Sequence, residues 1–401
     1  MVSRQYCLLS AEQERLLDSY NDTEVPYDDT QTIVTLFRKQ VEIHPDKIAV
    51  VYHDRRYTYR DVDEISERIS TYIASKGLGC EDVVSILIPR SEWIAIASLG
   101  VLKAGCAYQP LDPSYPAERL NFMMQDAGAK LLITNDELRP LVSDYTGGTL
   151  MIGDIMDEGR GNKEDCLLPN KPSSFNPRPS TLTPHPSSLF ILLYTSGSTG
   201  MPKGILHTFG GLLANRNMGK AEVYSFGQRW ALGAPMYFVA SVAAYKVLTY
   251  GGCVHLLSRS LMRDVRKLED YYEEHSITAG FISPSFLSNF HNRAKSLKTL
   301  MTGSERLTGQ CSRDGYDLYN NYGMSEAGFH VAQFEVDRWY EVTPIGKPVF
   351  ADIRIMLLGE DGKEVPAGQF GEICFDNPFF RGYVGMPEET ARVLRGGVYH
   401  S

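Results

Sequence analysis

"YTSGSTGMPKG", Tyr194 to Gly204, holds three glycines, five hydroxyl side chains and one lysine in eleven residues. It follows directly on the apolar run "LFILL" at 189–193. A strand that ends in Gly, Ser and Thr can turn sharply and leave successive backbone N–H groups pointing one way. Such a nest binds phosphate oxygens, and the hydroxyls add donors. Lys203 supplies a mobile positive charge. The pattern G-x-x-x-x-G-K-[ST] of P-loop phosphotransferases does not fit, because Lys203 stands between Pro202 and Gly204. A plain Gly/Ser linker does not fit either, since a linker would not follow a buried strand or close on Pro-Lys-Gly.

Outward from this stretch, strand and helix patterns alternate. Ile33, Leu36, Phe37 and Val41 form one helical face, and "KIAVVYH" (47–53) is strand-like. Val62, Ile65, Ile69 and Ile73 share a second helical side, with Gly77 as its stop. "VVSILIP" (83–89) is the continuous apolar run of a strand buried on both faces. A helix over "SEWIAIASLGVLKAG" and a strand over "AKLLITND" continue the alternation. This predicts an α/β fold of two parallel-type sheets layered with helices. The short segments "ADIRIMLL", "EVPAGQFGEICF" and "RGYVG" predict a small β-rich, barrel-like closing unit. Residues 166–188 carry six prolines and read as a surface loop. The expected division is 1–188, 189–330 and 331–401.

Composition narrows the partners. The net charge of -9 and the lack of any basic block argue against nucleic acid and against anionic membrane surfaces. There is no apolar run long enough to span a membrane and no leader pattern at the start. Seven cysteines without a C-x-x-C pair read as reduced thiols, so a cytoplasmic location is expected.

"YTSGSTGMPKG" closely resembles the phosphate loop of the adenylate-forming superfamily. Further phrases follow in the superfamily's order. They are "LGVLKAGCAYQPLDPSYPAERL" (99–120), "TGSER" (302–306), "NNYGMSEAG" (320–328) and "GEICFDNPFFRGYVG" (371–385). The lead-in "LSAEQERLLDSYNDTEVPY" leans toward the nonribosomal-peptide-synthetase type of adenylation domain. The resemblance covers nearly the whole chain and implies the fold of an adenylate-forming enzyme N-terminal domain. It implies ATP and Mg²⁺ as cofactors and the activation of a carboxylic acid as acyl-adenylate. Thioester transfer to the phosphopantetheine of a carrier protein would follow.

The residues carry over by motif. Thr195, Ser196, Gly197, Ser198, Thr199 and Gly200, with Lys203, would hold the departing phosphates. Ser325 would touch the α-phosphate, and Glu326 would ligate Mg²⁺. Tyr322 would stack on adenine, Asn320 would offer its amide to the adenine edge, and Asn321 and Gly323 would flank them. Gly303, Ser304 and Glu305 would form the other side of the slot. Lys203, Ser325 and Glu326 are the catalytic set this resemblance implies.

The acyl pocket departs from the amino-acid-activating pattern. In "MYFVASVAAYKVLTYGG" (236–252), Val239 follows Phe238 where such domains place an Asp. Burying the α-ammonium of an amino acid without that partner costs several kcal/mol, on the order expected for an unpaired buried ion. The pocket would be lined by Phe238, Val239, Ala240, Ala243, Phe281, Met301, Gly303, Asn321, Phe329 and His330. Two readings stay open. Phe281, Met301 and Phe329 could fill the pocket, leaving room for glycine or another small acid. Alternatively, Ala243 and Gly303 could open it to a keto, hydroxy or aryl acid. Asn321 and His330 are its polar members.

The chain closes on "GGVYHS", where the superfamily continues into a hinge and a C-terminal domain with a catalytic lysine. That domain is expected to lie outside these residues. An acyl-CoA ligase and a non-catalytic nucleotide-binding module are the alternative functions.

Overall fold

The structure is a computed structural model that describes residues 21, 30–157, 184–196, 201–214, 224–310, 315–349, 353–366, 368–377 and 379–401. Gly197–Gly200, most of the Pro-rich loop and nearly all of the lead-in fall outside the described residues.

Two large sheets dominate. In one, seven strands run in the order Phe380–Tyr383, Pro202–Thr208, Leu189–Ser196, Ala107–Pro110, Val83–Leu87, Leu131–Thr134, Gly148–Met151. Its last five strands are mutually parallel, as their apolar composition requires. The other sheet has nine strands, centred on the parallel run Asp317–Met324, Thr299–Gly303, Ala279–Phe281, Arg229–Leu232, Cys253–Leu256, Ile48–Tyr52. Antiparallel strands close its two ends: Arg55–Thr58 at one, Phe329–Glu335 and Lys347–Pro348 at the other. Four strands, among them Arg55–Thr58, therefore cross the division expected at residue 188. Ile48–Tyr52 joins the second sheet, and the hairpin 189–208 joins the first. Where the β-rich unit was expected, a four-stranded antiparallel sheet forms from Ile355–Leu358, Glu372–Asp376, Val398–His400 and Leu394–Arg395.

Local sequence explains the helices between the sheets. Thr58 caps Tyr59–Ser75, accepting from the Asp61 N–H while the Asp61 carboxylate takes the Thr58 N–H, a reciprocal capping box. Glu92–Lys103 is buried along its whole length. It packs closely on Tyr59–Ser75 because Gly100 has no side chain: a Cβ there would lie 2.6 Å from Ile69 Cβ. Lys103 is fully buried, and its ammonium is held by the Asp63 carboxylate at 2.6 Å and the Asp63 carbonyl at 2.9 Å.

An aromatic cluster joins the two halves. Phe190 from the first sheet lies 5.5 Å from Tyr108, 5.3 Å from Phe209 and 5.7 Å from Tyr245 (centroid distances). Tyr245 belongs to the helix Ala243–Thr249 and donates its hydroxyl to Ser98 Oγ at 2.5 Å. One continuous apolar core thus runs between the sheets.

Candidate active site

Phe281, Gly303 and Tyr322 lie at or near the carboxyl ends of three adjacent parallel strands, the edge where α/β sheets bind ligands. Across the cleft stands the hairpin of the opening phrase, where Thr195 pairs with Lys203 and Ser196 with Pro202. The loop residues Gly197, Ser198, Thr199 and Gly200 that it would present lie outside the described residues, as does the Ser196 side chain.

A hydrogen bond ties the hairpin to the turn after Asp317–Met324. His207 Nε2, two turns of pleat beyond Lys203 on the same strand, donates to the Ser325 carbonyl at 2.5 Å. Burial holds the His207 pKa down to about 4, against the raising effect of that bond, so the ring is neutral and acts as a fixed donor. The turn Ser325–Ala327 ends at Gly328, whose φ of +73° suits glycine. Added bulk there would also press on His207, 3.2 Å from an ideal Cβ.

Glu326 is held from two sides. Its carbonyl accepts from Asn377 Nδ2 at 2.9 Å, and its carboxylate accepts from the Tyr383 hydroxyl at 3.0 Å. Tyr399 sits against the same group. Burial first, and then the charge of Glu326, raise the pKa of Tyr383 and push Tyr399 up to about 12. Both phenols therefore stay protonated as donors. A partly buried carboxylate is the oxygen ligand type a hard cation takes. Lys203 Nζ is 3.3 Å from Glu389 Oε2 and 5.4 Å from the Tyr383 ring centroid, which places it beside the Glu326 cluster. The Lys203–Glu389 pair is partly exposed, so its ammonium can exchange to a phosphate at small cost.

The remaining nucleotide-side residues are spread along the same edge. Tyr322 is half-buried, and Ser304 and Glu305 are exposed. Ser304 adopts φ +71° next to Gly303, where a side chain would collide with the Asn321 carbonyl. Asn320 Nδ2 donates to the Pro344 carbonyl at 2.8 Å, which fixes the amide and commits one of its two N–H groups.

Five of the ten expected acyl-pocket residues belong to the core between the sheets or pack against it. Val239, Ala243 and Met301 are buried in one cluster, with Ala240, Phe281 and Tyr322 packed against it. Phe238 is 40% exposed and turns away. The Phe329 side chain is outside the described residues. Asn321 is tied into the sheet: Nδ2 donates to the Thr302 and Tyr319 carbonyls, and Oδ1 accepts from Gln333. With both N–H groups used, Asn321 has no donor left for a substrate carbonyl.

Lys246 went unnoticed in the sequence. It follows Val239 and Ala243 at helical spacing, in the helix Ala243–Thr249, and is 3% exposed. Its Nζ lies 5.5 Å from the Tyr224 ring centroid. Burial holds its pKa well below the usual lysine value. Burial and the charge of Lys246 hold His330 well below the usual histidine value. A single Lys in an apolar helix is a weak signal, and its neighbour His330 comes from a strand more than eighty positions on. His207 and Asn377 went unnoticed for the same reason, since their contacts with the Ser325–Ala327 turn span 118 and 51 positions.

A family described as AMP-binding enzyme matches residues 37–384. Bacitracin synthase 1 of Bacillus licheniformis is 32% identical over 404 residues, covering 100% of this chain and 7% of that protein. Zwittermicin A synthase ZmaJ of Bacillus cereus is 30% identical, covering 90% of this chain and 70% of that protein. The chain thus spans a small part of the large synthases it matches. The nonribosomal peptide synthetase FmoA3 shares the fold with a TM-score of 0.82 at 21% identity, over 98% of this chain and 42% of that one. The N-terminal subdomain of Klebsiella oxytoca NpsA, solved with 3-hydroxybenzoyl-AMSN, gives 0.76 at 20% identity, over 92% and 95%. No helix among the described residues is long and apolar enough to cross a membrane. The chain belongs to the AMP-binding enzyme family, with nonribosomal peptide synthetases among its relatives.

Proposed function

We propose that this chain activates a small carboxylic acid with ATP, forming an acyl-adenylate for transfer to the phosphopantetheine of a carrier protein. The His207–Ser325 bond carries this reading, because it fixes the Lys203 strand against the Ser325–Glu326 turn. The acid's carboxylate attacks the α-phosphorus, and pyrophosphate leaves. Lys203 and the backbone of the 195–200 loop bind the leaving phosphates, and the Ser325 hydroxyl holds the α-phosphate. Glu326 would hold Mg²⁺, which when bound neutralises phosphate charge. The protein acts by positioning and charge stabilisation. Tyr322 and Asn320 orient the adenine. Val239 in place of an acid favours substrates without an α-ammonium, or an amine held elsewhere.

ATP–pyrophosphate exchange tests this, over a panel of glycine, alanine, β-alanine and keto, hydroxy and aryl acids. Exchange with one acid, lowered about a hundredfold by Glu326→Gln, is the expected result. ATP binding indifferent to Glu326→Gln, with no exchange for any acid, would favour the non-catalytic module. Product trapping with coenzyme A against a carrier protein separates the two ligase classes.

A further inference from the structure

On the paired strands Glu372–Asp376 and Val398–His400, three side chains of metal-ligand type face one another. Cys374 stands directly opposite His400 in the ladder. Glu372, two residues along, lies on the same face of its strand. Cys374 Sγ is 3.4 Å from His400 Nδ1, and that nitrogen is 3.1 Å from Glu372 Oε2. All three donor atoms lie within 4.8 Å of one another, which no other set of three His, Cys, Asp or Glu achieves among the described residues.

We propose that Glu372, Cys374 and His400 bind a single zinc-like divalent ion, at a site separate from Glu326. A tetrahedral ion with bonds of about 2.3 Å to sulfur and about 2.1 Å to nitrogen and oxygen sets its ligands about 3.4 to 3.6 Å apart. The observed spacings of 3.4 and 3.1 Å need adjustments of only a few tenths of an ångström. A donor set of one sulfur, one nitrogen and one oxygen selects zinc or cobalt over magnesium, which takes oxygen alone. The backbone ladder preorganises two of the ligands, so little chain entropy is lost on binding. Cys374 forms the floor, while the Glu372 side chain is 44% exposed and leaves an entry path and a fourth position for water. The ion would brace the strand that carries Tyr399, and with it one wall around Glu326. This proposal does not rest on the adenylation reading.

The test is a titration of the chelator-treated 401-residue protein with cobalt(II), followed by absorbance. One equivalent should give visible d–d bands and a near-ultraviolet thiolate-to-cobalt band, both erased by zinc. Cys374→Ser should remove the near-ultraviolet band. His400→Ala and Glu372→Gln should each weaken cobalt binding at least about tenfold. Absence of the thiolate band means the trio is joined by hydrogen bonds alone and overturns the proposal. A band that survives Cys374→Ser overturns it too, since the thiolate is then another cysteine. If Cys374→Ser does not fold, the partly exposed Glu372→Gln decides: unchanged affinity refutes the site.

Discussion

At the scale of the residue, buried ionisable groups control the response to pH. His207 is neutral in the fold with a pKa near 4, against about 6.5 in the unfolded chain. A depressed histidine means the unfolded state binds the extra proton. Its stabilising effect is therefore full above about pH 6.5 and is lost as pH falls toward 4. That difference corresponds to about 3 kcal/mol, and His255, held down to about 3 by burial and the nearby His275, acts in the same direction. Urea midpoints should fall between pH 7 and pH 5, and His207→Gln should flatten part of the slope. Lys246 answers to burial. Its pKa is lowered, so the unfolded state holds the proton and stability rises with pH toward the unfolded value of about 10.4. Lys246→Met should remove that rise, as denaturant curves at pH 7 and 9 would reveal.

At the scale of the element, what the sequence made legible followed from local periodicity. The helix read from Ile33, Leu36 and Phe37 runs Ile33–Ile43, and the one read from Val62, Ile69 and Ile73 runs Tyr59–Ser75. Within "VVSILIP", Val83–Leu87 is a strand buried at every position, as its composition required. The apolar run ahead of the phosphate phrase is the strand Leu189–Ser196, but its antiparallel return Pro202–Thr208 was not legible in the sequence. What stayed hidden was pairing between distant segments. Nothing local in "KIAVVYH" says that this strand leaves its sequence neighbours for the second sheet. Nothing local in "RGYVG" says that Tyr383 reaches Glu326. Helix packing is a further hidden quantity, and Gly100 exposes it. Gly100→Ala adds a methyl group where Ile69 already stands, and overpacking of this kind costs about 1 to 3 kcal/mol. Thermal unfolding of the variant should show a lowered midpoint, while Gly128→Ala, which faces open space, should show only the strain of its positive φ.

At the scale of the whole molecule, the cleft exists because the two sheets are fixed to each other. The Phe190, Tyr108, Tyr245 and Phe209 cluster makes that joint from both halves. Phe190→Ala should cost about 3 to 5 kcal/mol. It should also loosen the cleft, so that nucleotide affinity falls although no nucleotide-side residue has changed; calorimetric titration with ATP would measure this.

The early strand in the late sheet has a consequence for synthesis. Lys47, just ahead of Ile48–Tyr52, donates to the Gly251 carbonyl 204 positions on, and Val50 pairs with Val254. At about 5 to 20 residues per second, a nascent chain exposes this apolar strand for roughly 10 to 40 seconds before its partner emerges. Vectorial folding from the N-terminus cannot complete the second sheet piecemeal. The ribosome carries an unpaired strand edge while the 204 positions to its partner are made, and during that interval chaperones and neighbouring nascent chains compete for it.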